Sequence, residues 1–300
     1  MSFPAVIDNT MRKAFVRCPE LFKRQFIDNL RPVDDVSVDL HFGACFARGM
    51  EVARKAYYFD PAPINAEQEA IQEGIEAAVS AWGTFQSPPL SNKTLPRLIG
   101  ALRFYFKEWP LEEETLRPVE DGIECSFAID LPILHPETGL PLQYAGRFDM
   151  LATDSHERYY IVDEKTTSKL GDSWYLQWDM DSQMTGYTWA VQNWPTLYLE
   201  PTVEIMAQVR GVSILKNDYG HAEVNIVRSQ HMIDAWHEQL LHDIQHMIVC
   251  WKSKWWDQSF SQACTDYGRP CDFAMLCKSA NPERLLSNYK EVVWNPLAKK

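Results

Sequence analysis

The segment 144–168, YAGRFDMLATDSHERYYIVDEKTTS, brings acidic and basic residues together at a spacing that could do chemistry. It reads as two strands. The first carries Asp149 in Gly146-Arg147-Phe148-Asp149, and the second carries Asp163-Glu164-Lys165 after the apolar run Tyr159-Tyr160-Ile161-Val162. Side chains alternate along a strand, so Asp163 and Lys165 share one face while Glu164 points to the other, and Asp149 can lie opposite them on the neighbouring strand. Two carboxylates converging with an ammonium suit a divalent cation, and oxygen donors select hard ions such as magnesium or manganese. Such a cation lowers the pKa of a water and offsets charge on a phosphate, while a lysine can orient that water or neutralise the pentacovalent intermediate. The plainer alternative is a surface ion pair, since Asp-x-Lys on a strand commonly is one.

Gln183 and Tyr187, in Gln183-Met184-Thr185-Gly186-Tyr187, stand at i and i+4 of a predicted helix and so present an amide and a phenol on one face. They can hydrogen-bond to a phosphate, a base edge or the metal-bearing strands; equally, the face can be packed by Trp178, Tyr187 and Trp189 with Gln183 incidental. Glu124, on the strand before Asp149, is either a supporting carboxylate or an exposed strand residue.

The elements that must position these residues read as helices, then strands, then helices. Asn9-Thr10 caps a short helix and Pro19 opens another through Phe26. Helical spacing covers His41 to Tyr58, Ala66 to Trp82 and Leu95 to Trp109. Strand-like runs follow at Ile123 to Leu131, Gln143 to Ala152 and Arg158 to Thr167, the first two joined by the turn-rich PILHPETGLPL. A helix from Ser173 to Asn193, strands Val203 to Leu215 and Ala222 to Val227, and a long helix Gln230 to Trp256 complete the chain before a cysteine-bearing tail. The reading is one α/β domain over residues 1–300, with residues 1–115 helical, residues 116–230 forming an α/β core, and residues 231–300 supplying a C-terminal helix and tail.

Together, GRFD (146–149), IVDEKT (161–166) and QMTGY (183–187) resemble the RecB-like branch of the PD-(D/E)XK nuclease superfamily, in order and in spacing. The resemblance implies a restriction-endonuclease-like core with a central mixed β-sheet flanked by helices. It implies that Asp149, Asp163 and the backbone carbonyl of Glu164 hold Mg2+ or Mn2+, that Lys165 is catalytic, and that Gln183 and Tyr187 position the DNA backbone. In this branch a helix opening with Gly presents a His four residues later as a further ligand. Here that Gly is Gly43 and the His position is Ala47, leaving Glu51, one turn on, as the favoured carboxylate and His41 as the other candidate. The activity implied is metal-dependent DNA hydrolysis, as an exonuclease at ends or in single strands serving recombination or DNA processing. Tyr57, Tyr58 and Trp174 are candidates for stacking bases, though such aromatics also build cores. The missing His motivates the alternative, a weak or inactive nuclease-fold protein that binds DNA ends or a protein partner.

The tail places Cys264, Cys271 and Cys277 within fourteen residues, around Gly-Arg-Pro, and Cys18 is the candidate fourth thiol. One N-terminal and three C-terminal cysteines resemble the iron–sulfur staple of RecB-like nucleases. Thiolates suit a 4Fe–4S cluster; zinc, which also accepts four thiolates, and unligated thiols are the alternatives. A cluster here would tie the first helices to the last segment as a structural clamp. Cys45 and Cys125 sit among apolar neighbours as core thiols, and Cys250 is a weak alternative ligand. A third function class, a cysteine-ligated redox protein, remains open on the thiols alone.

Composition sets the frame. With 300 residues, 46% hydrophobic and 23% charged, the chain is neither disordered nor fibrous. A net charge of −12 argues against nucleic acid taken whole. The charge is uneven, however: 10–58 and 250–300 carry a basic excess, while 108–124 holds seven acids against one Arg. Seven cysteines, an odd number spread along the chain, do not form a secreted disulfide framework. No signal peptide and no membrane-length apolar run are visible, so the expectation is a reducing cytoplasm, bacterial or that of a phage host, with DNA as partner and a homo-oligomer or recombination partner possible.

Overall fold

The computed structural model describes residues 2–33, 37–59, 66–195, 197, 204–266 and 269–298. Val203, where one strand was expected to begin, and Tyr267 and Gly268 of the cysteine loop lie outside them. In chain order the elements are β1 (Val6–Asp8), α1 (Asn9–Arg17), α2 (Pro19–Phe22), β2 (Leu30–Pro32), α3 (Val38–Tyr58), α4 (Ala66–Trp82), α5 (Leu95–Glu108), β3 (Arg117–Leu134), β4 (Pro141–Thr153) and β5 (Tyr159–Thr167). Then come α6 (Asp172–Leu176), α7 (Ser182–Gln192), β6 (Ile205–Ile214), β7 (Tyr219–Val227), α8 (Gln230–Ser253), β8 (Thr265–Asp266), β9 (Arg269–Pro270), α9 (Ala274–Lys278) and β10 (Tyr289–Glu291). They fall into two units, each built from segments distant in sequence: Met1–Asp35, Phe127–Gly146 and Gln230–Ala298 in one, Val36–Ser126, Arg147–Ser229 and Lys299–Lys300 in the other.

The second unit is a mixed sheet flanked by helices, as the resemblance implied. The second half of β4 runs antiparallel to β5, β5 parallel to β6 and β6 antiparallel to β7. The run Tyr160-Ile161-Val162 is buried on both faces. Helix α3 packs on β5 and α5 on β6 and β7, while α7 packs on β6. Along α3 the buried positions Phe42, Cys45, Phe46, Gly49, Met50, Ala53 and Arg54 recur every three or four residues. Of these, Phe42, Cys45, Phe46, Met50 and Ala53 join Ala70, Trp82, Leu98 and Leu102 in one apolar cluster. Two glycines let α3 and α4 approach closely: a Cβ on Gly49 would lie 3.0 Å from the Gly74 carbonyl oxygen, and one on Gly74 2.5 Å from that of Gly49. Gly74→Val therefore forces the helices apart and should lower stability by about 1–3 kcal/mol in urea unfolding. A change within about 0.5 kcal/mol, the size of a neutral surface substitution, would show that the crossing yields freely.

The expected helix from Ser173 to Asn193 is two. Asp181 caps α7, its side chain accepting from the N–H groups of Gln183 and Met184, so the chain restarts there instead of continuing from α6. Trp174, a candidate base-stacker, is instead buried against Gly211, where a Cβ would strike its ring.

The first unit pairs β1 parallel to the start of β4 (Val6 beside Gln143), and the β3–β4 hairpin closes where Gly139 adopts φ +70. The cap of α1 is Asp8, one residue earlier than Asn9, accepting from Met11 N–H at 2.7 Å. Helix α2 passes into a π-helical turn, Lys23–Ile27. Helices α1 and α8 pack together, with Arg12 paired to Asp243 at 2.8 Å, and β2 and β10 form a small antiparallel ladder.

Candidate active site

In the second unit, the Met150–Val162 pair fixes the register of β4 and β5, which leaves Asp149 one step further along, beside Asp163 and Glu164. Asp149 Oδ2 accepts the Glu164 N–H at 2.7 Å. Asp163 is 1% exposed. Its Oδ1 accepts from Gln183 Nε2 at 3.3 Å, while its shielded Oδ2 meets Lys165 Nζ at 2.5 Å as an ion pair. Gln183 Nε2 also donates to the Tyr187 hydroxyl at 2.9 Å, which in turn donates to the Arg147 carbonyl at 2.7 Å. The Tyr187 ring packs edge-on to Phe148. Thus Asp149, Asp163, Lys165, Gln183 and Tyr187 come together, and the capped start of α7 sets where Gln183 reaches β5.

The electrostatics are those of an acid pair short of positive charge. Burial, then the Asp163 and Glu164 carboxylates, push the Asp149 pKa well above the ordinary carboxylate range, against the opposing pull of Lys165. Burial also raises Asp163, although Lys165 opposes it. Burial works against the Lys165 ammonium, but Asp163 and Asp149 outweigh it and hold its pKa up. Burial and Asp163 also keep Tyr187 protonated as a donor.

Among the described residues, no group of three or more His, Cys, Asp or Glu side chains is arranged to hold a metal ion. The donor set nonetheless suits a hard cation: two facing buried carboxylates, with Asp163 Oδ2 met only by the Lys165 ammonium. The raised pKa values give this a sign. Protons and a divalent cation compete for the same oxygens, and a raised pKa strengthens the proton's hold, so cation affinity rises with pH. The rise in melting temperature caused by Mn2+ should therefore grow as pH is raised from mildly acidic to mildly basic. A shift that stays flat across that range would contradict cation binding at this pair.

Glu164 turns to the opposite face. Arg54 of α3 pairs with its Oε1 at 2.5 Å, and the Tyr105 hydroxyl donates to the same oxygen at 3.1 Å. Tyr105 is bonded in turn by Arg54 and by Arg210, and Arg210 pairs with Glu114. Sequence reasoning misses this network, although Arg54, on the apolar stripe of α3, is its visible signal.

Glu51 lies on α3 between Gly43, which is set against Thr166, and Arg54; its carboxylate pairs with Arg48 at 2.6 Å and Lys55 at 2.7 Å. Those ion pairs must open for Glu51 to meet a cation beside Asp149. His41, half-buried, packs on Phe85 with Nε2 3.3 Å from the Trp82 carbonyl oxygen. Glu124, in the left-handed region at φ 52, pairs with Arg147 at 2.8 Å, and its charge contributes to raising Asp149. Tyr57 and Tyr58 stack edge-on beside the helical core.

The proposed thiols all lie in the first unit. Residues 17–20 are already stitched to 257–263: Arg17 Nη2 donates to the Ala263 carbonyl, Ser259 Oγ to that of Arg17, and Glu20 N–H to that of Asp257. Cys271 N–H donates to the Cys264 carbonyl at 2.8 Å. Burial raises the Cys271 thiol, with Cys18 adding to it, and raises Cys277 to about 11, with Glu20, Cys18 and Cys271 adding to it. Cys18, Cys271 and Cys277 are thus within one another's electrostatic reach, while the Cys264 side chain is exposed. Cys45 and Cys250 are buried and Cys125 is half-buried.

A family model, that of the PD-(D/E)XK nuclease superfamily, matches residues 10–278. No curated protein matches the chain. A solved structure from Eubacterium rectale, described provisionally as an exonuclease, has 11% identity and a TM-score of 0.48 over 92% of this chain and 93% of that one. A second, titled SSO0001, has 11% identity and a TM-score of 0.29 over 67% and 74%.

Proposed function

Because the chain belongs to the PD-(D/E)XK nuclease superfamily, we propose that it is a magnesium- or manganese-dependent deoxyribonuclease that degrades DNA from ends or as single strands, in recombination or DNA processing. One observation carries the reading: Asp149 and Asp163 stand side by side, each raised by burial, with Lys165 ion-paired to Asp163. Structural ion pairs do not need two mutually repelling carboxylates; a cation site does.

Asp149, Asp163 and the Glu164 carbonyl are the donors for the cation, which would activate water and offset charge on the phosphate. Lys165 keeps its proton, so it acts as a fixed cation beside the attacked phosphorus and orients the incoming water. Gln183 holds Asp163, and Tyr187 holds the Arg147 peptide, so both fix the two strands against each other and present polar groups to the DNA backbone. Cys18, Cys264, Cys271 and Cys277 would hold a 4Fe–4S cluster, or zinc, as a structural closure of the first unit.

The partner is DNA, the setting a bacterial or phage-host cytoplasm, and a homo-oligomer or recombination partner is compatible with the reading. Glu51's engagement with Arg48 and Lys55 favours the second reading, a weak or inactive nuclease fold that binds ends. Linear and covalently closed DNA incubated with the protein and Mn2+ separates these readings. Loss of label from linear ends, with the closed circle intact, is the expected result; cutting of the circle refutes the exonuclease reading, and binding without cutting of either supports the second.

A further inference from the structure

We propose that Arg54 is a positioning residue for the cation site, acting through the side chain of Glu164; this rests on the nuclease reading above. Glu164 lies between Asp163 and Lys165, and its own peptide is pinned on the catalytic side by Asp149, which accepts its N–H. Its side chain, by strand alternation, leaves through the other face, where Arg54 and Tyr105 seize a single carboxylate oxygen. The residue carrying the carbonyl offered to the cation is therefore held at its N–H and at its side chain. Arg54 is the link through which α3 fixes that residue.

The composition of this layer argues for positioning over stability. Arg54 and Glu164 are 3% and 4% exposed at the side chain, and Arg210 and Glu114 are 3% and 9%. Two residues before Glu164 on β5, and so on its face, Val162 is fully buried and apolar, as is its partner Met150. A buried ion pair loses about as much in desolvation as it gains, and a well-packed apolar substitute is often as stable or more so. What the ionic layer provides, and an apolar one does not, is direction: Tyr105 accepts from Arg54 and Arg210 and donates to Glu164, which fixes the Glu164 side chain in one orientation. Groups that orient metal ligands through such bonds typically change cation affinity by about 10–100-fold when removed.

Two variants of the full chain test this, with Mn2+ alone as the probe. Binding is counted by electron paramagnetic resonance of the free ion, and Asp149→Asn supplies the background. The double substitution Arg54→Met with Glu164→Leu replaces the ion pair by apolar neighbours of similar size. Tyr105→Phe removes only the hydroxyl, and keeps the test valid should the double variant not fold. Both should melt cooperatively, bind Mn2+ about tenfold more weakly and show reduced kcat with KM for DNA unchanged, since these buried groups cannot touch DNA. Folded Tyr105→Phe or double variant with wild-type Mn2+ affinity overturns the inference. Wild-type protein that binds no Mn2+ above background would instead overturn the functional reading on which it rests.

Discussion

Asp149→Asn should abolish cation-dependent cleavage while making the metal-free protein more stable. The two effects share one cause. Burial and Asp163 raise the Asp149 pKa far above its unfolded value, so ionising this group opposes folding. The sign follows from linkage. Stability tied to protonated Asp149 is complete below the unfolded pKa of about 3.9, and is lost as pH rises through the folded value. An uncharged Asn, whose carbonyl can still accept the Glu164 N–H, does not suffer that loss at any pH. A gain of about 1–2 kcal/mol at neutral pH is expected for relieving such a site, and chemical denaturation of chelator-treated protein at neutral and at acidic pH measures it. The gain should shrink at the lower pH. Activity goes the other way: a cation contributes several kcal/mol to the transition state, and losing about 4 kcal/mol slows cleavage about 10^3-fold. An Asn variant that is less stable at neutral pH, or that still cuts, would show that Asp149 is a structural carboxylate.

The second large effect is expected at the thiols. If Cys18, Cys264, Cys271 and Cys277 hold a cluster or zinc, Cys271→Ser removes a ligand from a clamp between residues far apart in sequence. Structural metal sites return their binding energy as folding energy, so a loss of about 3 kcal/mol or more is expected, with a fall of about 6–12 °C in melting temperature. Broad visible absorbance present in the wild type and absent from the variant identifies the cluster; its absence from both, with equimolar zinc in the wild type, identifies zinc. The hydrogen-bonded stitching of 17–20 to 257–263 sets the contrary expectation. Were the thiols unligated, those hydrogen bonds alone would hold the ends, and Cys271→Ser would move stability by less than about 1 kcal/mol.

The candidate site residues are legible because their spacing is local. Asp163 and Lys165 lie two apart on a strand, Gln183 and Tyr187 four apart on a helix, and alternation alone puts Glu164 on the far face, where Arg54 meets it. The long helices are legible from apolar periodicity. Three-residue strands such as β1, β2 and β10 have too few residues to show a period, and each forms only because a partner distant in sequence offers a ladder. The break between α6 and α7 is written in Asp181, a capping residue inside an otherwise helical pattern, and is easily missed because the apolar spacing continues through it. The Arg54 network cannot be read from the sequence: Arg54 and Glu164 are 110 residues apart, and a lone charge on an apolar helix face says that a partner exists without saying which. Glu51 has the same difficulty in reverse, since its helix neighbours Arg48 and Lys55 stand in plain view as i,i+3 and i,i+4 partners.

The most direct test of the central claim, that Asp149, Asp163 and Lys165 form one cation-dependent phosphodiester-cleaving centre, is the initial rate of cutting of linear DNA by wild-type and Lys165→Ala protein in Mn2+, with chelator controls. Cutting by the wild type that chelator abolishes is expected, with a rate at least about 10^3-fold lower in a Lys165→Ala protein that still binds Mn2+. Cutting that survives the substitution, or that proceeds with the cation removed, would contradict that claim.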